Sequence, residues 1–165
     1  LVRSLQHSMQ DLRQIIEEAK PSILHLFGVV QAIENDLERS VRDSGLPIIT
    51  TVTDDTEGRV EALEQTVAIS LFRIVQEAVN NAIRHGQPQK IHVHMGHVDG
   101  RLRVTVSDDG SGFGKHTSTH GLGIGNMKTR ARLISASFEM GHNRHGPGTY
   151  VSITLADTAQ NMGDL

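Results

Sequence analysis

At 165 residues the chain has the length of one domain of about 150 residues with a small appendage, which excludes a second full enzyme domain. Hydrophobic residues make up 37% and the net charge is −3, so this is a folded globular composition with no single-sign excess to attract a nucleic-acid backbone or an anionic membrane. The absence of cysteine excludes disulfides, a thiol nucleophile and thiolate metal sites. No apolar run approaches the roughly 20 residues of a membrane span, which predicts a cytoplasmic piece whose parent protein can still be membrane-anchored.

Leu1, Leu5, Met9, Leu12, Ile15, Ile16 and Ala19 keep helical phase until Lys20-Pro21 stops them, because the residue before proline avoids helical ψ. The pattern is already running at Leu1, which reads as an excised fragment. A second helix is predicted over about Leu26 to Arg42, with Val30, Ile33, Leu37 and Val41 on one stripe. The β-branched run Ile48 to Thr53 predicts a strand. The longest helix is predicted from about Ala62 to His85. At 100° per residue Leu71, Val75, Ala78, Val79, Ala82 and Ile83 fall on one side, and Arg73, Glu77, Asn81, Arg84 and His85 on the other.

Ile91, Val93 and Met95 then alternate with His92, His94 and Gly96, and Asp99-Gly100 turns the chain into Leu102, Val104 and Val106, an antiparallel hairpin. A short helix is predicted over Asn126 to Ser135, strands over Phe138 to Met140 and Thr149 to Leu155, and a flexible tail over 157–165. Together these elements make an α+β fold, a two-layer α/β sandwich whose mixed, mostly antiparallel sheet is covered by helices on one face. His92, His94 and the nearby His97 read as a solvated strand face rather than a metal site, since no cysteine or carboxylate stands at ligand spacing. Met9, Met95, Met127 and Met140 read as packing.

Three pieces carry chemistry. The first is the polar stripe Glu77-Ala-Val-Asn80-Asn81-Ala-Ile-Arg84-His85. Glu77 and Asn81, four apart, are neighbours on the helix. An Asn amide oxygen is a hard, neutral ligand that suits Mg²⁺. Taken alone the stripe reads as a solvated helix face, although two consecutive Asn in a helix interior do nothing for helix propensity. The second piece is Ser107-Asp108-Asp109-Gly110-Ser111-Gly112, in which a strand runs into an Asp and two spaced glycines. A carboxylate at a strand end can accept from an exocyclic amine, and the glycines let the backbone approach a ligand; alone, the motif is an ordinary Asp-Gly turn. The third is Gly121-Leu122-Gly123-Ile124-Gly125-Asn126-Met127, where free N–H groups at a helix start favour phosphate oxygens. No Gly-x4-Gly-Lys-Ser/Thr pattern occurs, which excludes a P-loop.

In this order the three pieces resemble the N, G1 and G2 boxes of the GHKL ATP-binding fold, shared by histidine kinases and DNA gyrase. Gln76 to His85 and Gly121 to Met127 look like sensor histidine kinases of the nitrate-sensor and DesK-like class. So does the short lid, Gly114 to His120. Leu12 to Pro21 is similar to the second helix of that class's dimerisation and phosphotransfer domain. The resemblance implies residues 1–44 as that truncated helix with a connecting helix, and 45–156 as the catalytic domain.

It further implies Mg²⁺ on Asn81, and ATP with its adenine amino group on Asp108 assisted by Thr149. Gly110, Gly112, Gly121 and Gly123 would shape the pocket and lid, while Arg84 and His85 would lie near the phosphates. Glu77 takes the slot that activates water in ATP-hydrolysing relatives. The implied activity is histidine protein kinase, with a response regulator as partner and a homodimer as the intact kinase. No nucleic acid or direct membrane contact is expected.

Two departures stand out. The acceptor histidine of the class lies in a Leu-His-Asp-like context that nothing here matches, so the fragment is expected to lack it. Ile134-Ser135-Ala136-Ser137 replaces the usual Leu-Gly-Gly turn, which puts the geometry after the short helix in question. Two other readings keep parts of the pattern: a GHKL ATPase or serine kinase, and a degenerate nucleotide-binding module serving protein contact.

Overall fold

The computed structural model describes residues 24–112 and 121–157 of the chain; the predicted first helix, the lid and the tail beyond 157 lie outside them. Helix α1 spans 24–44. It is followed by β1 (Ile49–Asp54), α2 (Gln65–Asn81), a π-helical turn (Ala82–Gly86), β2 (Lys90–Val98), β3 (Arg101–Asp108), α3 (Leu122–Leu133), β4 (Ser137–His142) and β5 (Thr149–Thr154).

The five strands form one sheet in the order β1-β2-β3-β5-β4. Only β1 and β2 pair in parallel, and the other three pairs are antiparallel. This is the mixed, mostly antiparallel sheet that the alternation predicts.

Period-2 alternation puts Val93 opposite Val106 and Met95 opposite Val104, then Val104 opposite Ile153 and Val106 opposite Val151. All of these are buried in one hydrophobic core with Leu71, Ile74, Val75, Ala78 and Val79 of α2 and Ile124, Met127 and Ala131 of α3. Val29, Ile33 and Leu37 of α1 belong to the same core. A hydrogen bond from Gln76 Nε2 to Asp36 Oδ1 at 2.9 Å ties α1 to α2. The opposite face of the sheet carries polar pairs such as Thr105 and Ser152, whose hydroxyls lie 2.7 Å apart.

Several boundaries move from their predicted places. Regular α-helix begins at Gln65, preceded by turns in which Ala62 N–H donates to Arg59 O, and it ends at Asn81 with the chain widening into the π turn. Helix α3 starts at Leu122, four residues before the predicted Asn126, because Ile124 and Met127 bury against the core and outweigh the low propensity of Gly123 and Gly125. After α3, Ser135 adopts φ +53° while Ala136 N–H donates to Ala131 O at 2.9 Å. The left-handed stop usually given to glycine is therefore made by a serine.

Candidate functional site

The inward phase of β3 places Leu102, Val104, Val106 and finally Asp108 on the core side. A carboxylate thus arrives where the hydrophobic layer ends, and only 7% of Asp108 is exposed. A buried carboxylate needs hydrogen-bond partners. Gly110 N–H donates to Oδ1 at 2.8 Å and the Thr149 hydroxyl to Oδ2 at 2.7 Å. Thr149 reaches it because β5 shares the inward phase, with Val151 and Ile153 following on the same face.

Asp108 lines a cavity of about 260 Å³. Around it stand Glu77, Asn81, Arg84 and His85 from α2 and the π turn, Gly112, Thr149, and Gly121 and Gly123 at the start of α3. Nine of the ten predicted site residues therefore meet at one cavity. Gly110 is not among its walls. A Cβ on Gly110 would stand 2.5 Å from Gly86 O, so this glycine permits two backbones to touch behind Asp108 while Ser111 N–H donates to Gly86 O at 2.9 Å.

The start of α3 contributes Gly121, Leu122, Gly123 and Ile124 to the cavity wall. Its first N–H groups have no intrahelical acceptor, and Gly121 provides no side-chain cap, which leaves a positive helix end facing the space. Glu77 reaches this end: its Oε1 lies where a Cβ on Gly123 would come within 2.2 Å. Asn81 sits one turn further along α2. The π turn that follows is a local departure of the kind often found at functional sites, and it brings Arg84 and His85 to the rim.

Further wall residues carry no polar signature. Gly86, Ile124, Met127, Met140 and Val151 contribute the apolar part of the cavity; Met127 and Met140 read as packing in the sequence, and they do pack, with the cavity on one side. Gly86 belongs to none of the three motifs singled out in the sequence. Its Cβ position lies 3.4 Å from Asp108 Oδ1.

The family model described as histidine kinase-, DNA gyrase B-, and HSP90-like ATPase matches residues 66–159. The chain belongs to this ATPase family. Among relatives, sensor histidine kinase MctS of Rhizobium johnstonii is 30% identical over 133 residues, covering 78% of this chain and 28% of the relative. Sensor histidine kinase LiaS of Bacillus subtilis is 26% identical over 168 residues, covering 99% of this chain and 45% of the relative. The chain thus spans less than half the length of either. A histidine kinase domain from a blue-light activated kinase of Erythrobacter litoralis matches with a TM-score of 0.65 at 23% identity, over 80% of this chain and 62% of that one. This last likeness establishes the ATPase-family fold.

The donor set of the cavity fits a magnesium-bound nucleotide. Asn81 offers a neutral oxygen of the hardness Mg²⁺ prefers, the start of α3, whose N-cap Gly121 supplies no side-chain cap, suits phosphate oxygens, and Asp108 is an acceptor at the edge of an apolar wall. Among the described residues no group of three or more His, Cys, Asp or Glu side chains is placed to hold a metal by itself. No described helix is long and apolar enough to cross a membrane.

Proposed function

We propose that the chain is the ATP-binding catalytic domain of a sensor histidine kinase of the nitrate-sensor and DesK-like class. The observation that carries the reading is one cavity lined together by a buried, hydrogen-bonded acceptor at Asp108, by Asn81 and by the start of α3, whose N-cap Gly121 supplies no side-chain cap. In this reading Asp108 accepts from the adenine amino group, with Thr149 holding the carboxylate. Gly121 and Gly123 let the chain approach the phosphates, Gly112 turns the chain at φ +76° beside the base, and Arg84 and His85 lie at the phosphate rim. Asn81 holds Mg²⁺, which neutralises phosphate charge when bound. Gly110 acts from behind the wall.

The chemistry asked of these residues is positioning and charge neutralisation. An imidazole nitrogen of an acceptor histidine forms a bond to the γ-phosphorus as the bond to the ADP oxygen breaks. The phosphoryl group then passes to an aspartate of a response regulator. Residues 1–44 serve as phosphotransfer second helix and connecting helix to a catalytic unit over 45–156. The intact kinase is a homodimer, and the domain works in the cytoplasm.

Millimolar Mg-ATP should raise the melting temperature of the chain, since a ligand at 100 times its dissociation constant stabilises the folded state by about 2.7 kcal/mol. No shift would sink the nucleotide reading. Transfer of labelled γ-phosphate to an added phosphotransfer domain then tests the kinase. Glu77, beside the phosphate end of the cavity, favours one second reading, an ATP-hydrolysing or serine-kinase member of the family. Steady hydrolysis by the chain that Glu77→Ala abolishes would decide for hydrolysis.

A further inference from the structure

We infer that Asn143, in the turn between β4 and β5, is a positioning residue that fixes the aim of Asp108 and so sets the preference of the cavity for a base bearing an exocyclic amine. The inference rests on the nucleotide reading above. It concerns a side chain that does not line the cavity.

Asn143 Nδ2 donates to the main-chain carbonyl of Asp108 at 2.7 Å and to Pro147 O at 2.9 Å. Its own N–H donates to Gly148 O at 3.1 Å. One amide therefore joins the last peptide of β3 to the turn that delivers Thr149, the residue that donates to Asp108 Oδ2. The turn lies flat against Asp108. Gly148 has φ +93°, and a Cβ there would stand 1.9 Å from Asp108 O.

The neighbouring residue is tied down from the other side. Asp109 Oδ1 accepts from Gln89 N–H at 2.8 Å and Lys90 N–H at 2.7 Å. With Asp109 held to the start of β2 and the Asp108 carbonyl held by Asn143, the peptide that follows the Asp108 side chain is fixed at its carbonyl and at residue 109. Each carboxylate oxygen already has one partner, Gly110 N–H or the Thr149 hydroxyl, and retains lone-pair capacity toward the cavity.

Selectivity follows from what that capacity meets. An exocyclic amine donates an N–H to the carboxylate, whereas a carbonyl in the same place presents lone pairs to a negative oxygen. The favourable case needs good geometry, because a hydrogen bond weakens steeply once its angle falls below about 120°. A clamp on the Asp108 peptide therefore matters more for an amine-bearing base than for a carbonyl-bearing one.

The test compares ATP with inosine triphosphate, which has the same sugar and phosphates and a carbonyl in place of the amine. Calorimetry on the 165-residue chain measures both affinities in the wild type, Asn143→Ala and Asn143→Asp. The Asp variant keeps the shape and replaces the donor with an acceptor facing two carbonyl oxygens. Expected are a wild-type preference for ATP, a loss of ATP affinity of about tenfold in either variant, the scale of one hydrogen bond, and inosine triphosphate affinity within about twofold.

Equal losses for both nucleotides would show a merely structural role and overturn the inference. So would variants that keep the wild-type preference. A wild-type chain that binds neither nucleotide overturns the nucleotide reading itself, and this inference with it. Thermal melts without ligand identify a variant that fails to fold, in which case the other variant gives the ratio.

Discussion

The Glu61 carboxylate stands where Gly28 has no side chain. A Cβ on Gly28 would lie 2.2 Å from Glu61 Oε2, and the same carboxylate accepts from Val29 N–H at 2.8 Å and Val30 N–H at 3.0 Å. Gly28 has φ +82°, a left-handed residue within α1, and the N–H groups just after it are capped by a residue 31 to 32 positions away.

This junction predicts two losses of different size. Glu61→Ala removes a charged cap and should cost about 1–2 kcal/mol. Gly28→Ala adds left-handed strain and displaces the same carboxylate, for about 2–3 kcal/mol in all. Urea unfolding should show both as lower midpoints, with Mg-ATP affinity unchanged because the junction is remote from the cavity. Equal stability of wild type and Gly28→Ala would refute the account.

Where the physics is local, the sequence already shows it. Alternation from Ile91 to Met95 and from Leu102 to Val106 specifies the hairpin and its buried face, and the phase of α2 separates the core side from Glu77 and Asn81. The helix of Glu77 and Asn81, the strand end at Asp108 and the start of α3 meet at one cavity. What stays hidden is contact between distant segments. Nothing near Glu61 announces that it caps α1, and nothing in the β4–β5 turn announces that Asn143 reaches the Asp108 carbonyl. The start of α3 was obscured because Gly123 and Gly125 oppose a helix locally, and tertiary burial of Ile124 and Met127 reverses that preference.

Asp108→Asn should weaken ATP binding by about 10- to 100-fold, in line with the roughly 1.5–3 kcal/mol of a hydrogen bond to a charged group. The variant also turns one oxygen that accepts from Gly110 N–H or Thr149 into a donor. Calorimetry with Mg-ATP measures the change. Undiminished affinity would remove Asp108 from the base site.

Asn81→Ala should abolish the gain in ATP affinity that magnesium confers. The comparison is a titration in excess Mg²⁺ against one in chelator. The wild type is expected to bind more tightly with the metal, and the variant about equally in both, since the amide oxygen proposed to hold the metal is gone. A variant that keeps the full magnesium increment would show that Asn81 is no ligand.

Gly110→Ala and Gly123→Ala should behave oppositely. The new methyl at 110 meets Gly86 main chain at 2.5 Å, whereas at 123 it meets the far end of the Glu77 side chain at 2.2 Å. Main chain cannot swing away, so Gly110→Ala should lose about 1–3 kcal/mol of stability. Glu77 can rotate, and alanine in α3 recovers helix propensity, so Gly123→Ala should melt within a few degrees of the wild type or above it. The cost at 123 falls on nucleotide affinity, through the approach to the α3 start. A chain equally destabilised by both changes would contradict the distinction.

The outer face of the sheet gives the pH dependence. Burial, and next the charge of His94, hold the His92 imidazole below its ordinary value of 6.5, and His92 Nε2 lies 2.5 Å from Thr53 Oγ1. The unfolded chain therefore binds a proton at His92 more readily than the folded one. Stability from this group is present above about pH 6.5 and is lost as the pH falls from there through the folded-state value. The effect is modest because the ring is partly solvated. His92→Gln should flatten the decline of melting temperature between pH 7.5 and 5, whatever it does to the absolute value through the Thr53 contact. His94→Gln should flatten it less, since that change relieves only the smaller of the two causes. If the slopes of wild type and His92→Gln coincide, His92 does not govern acid stability on this face.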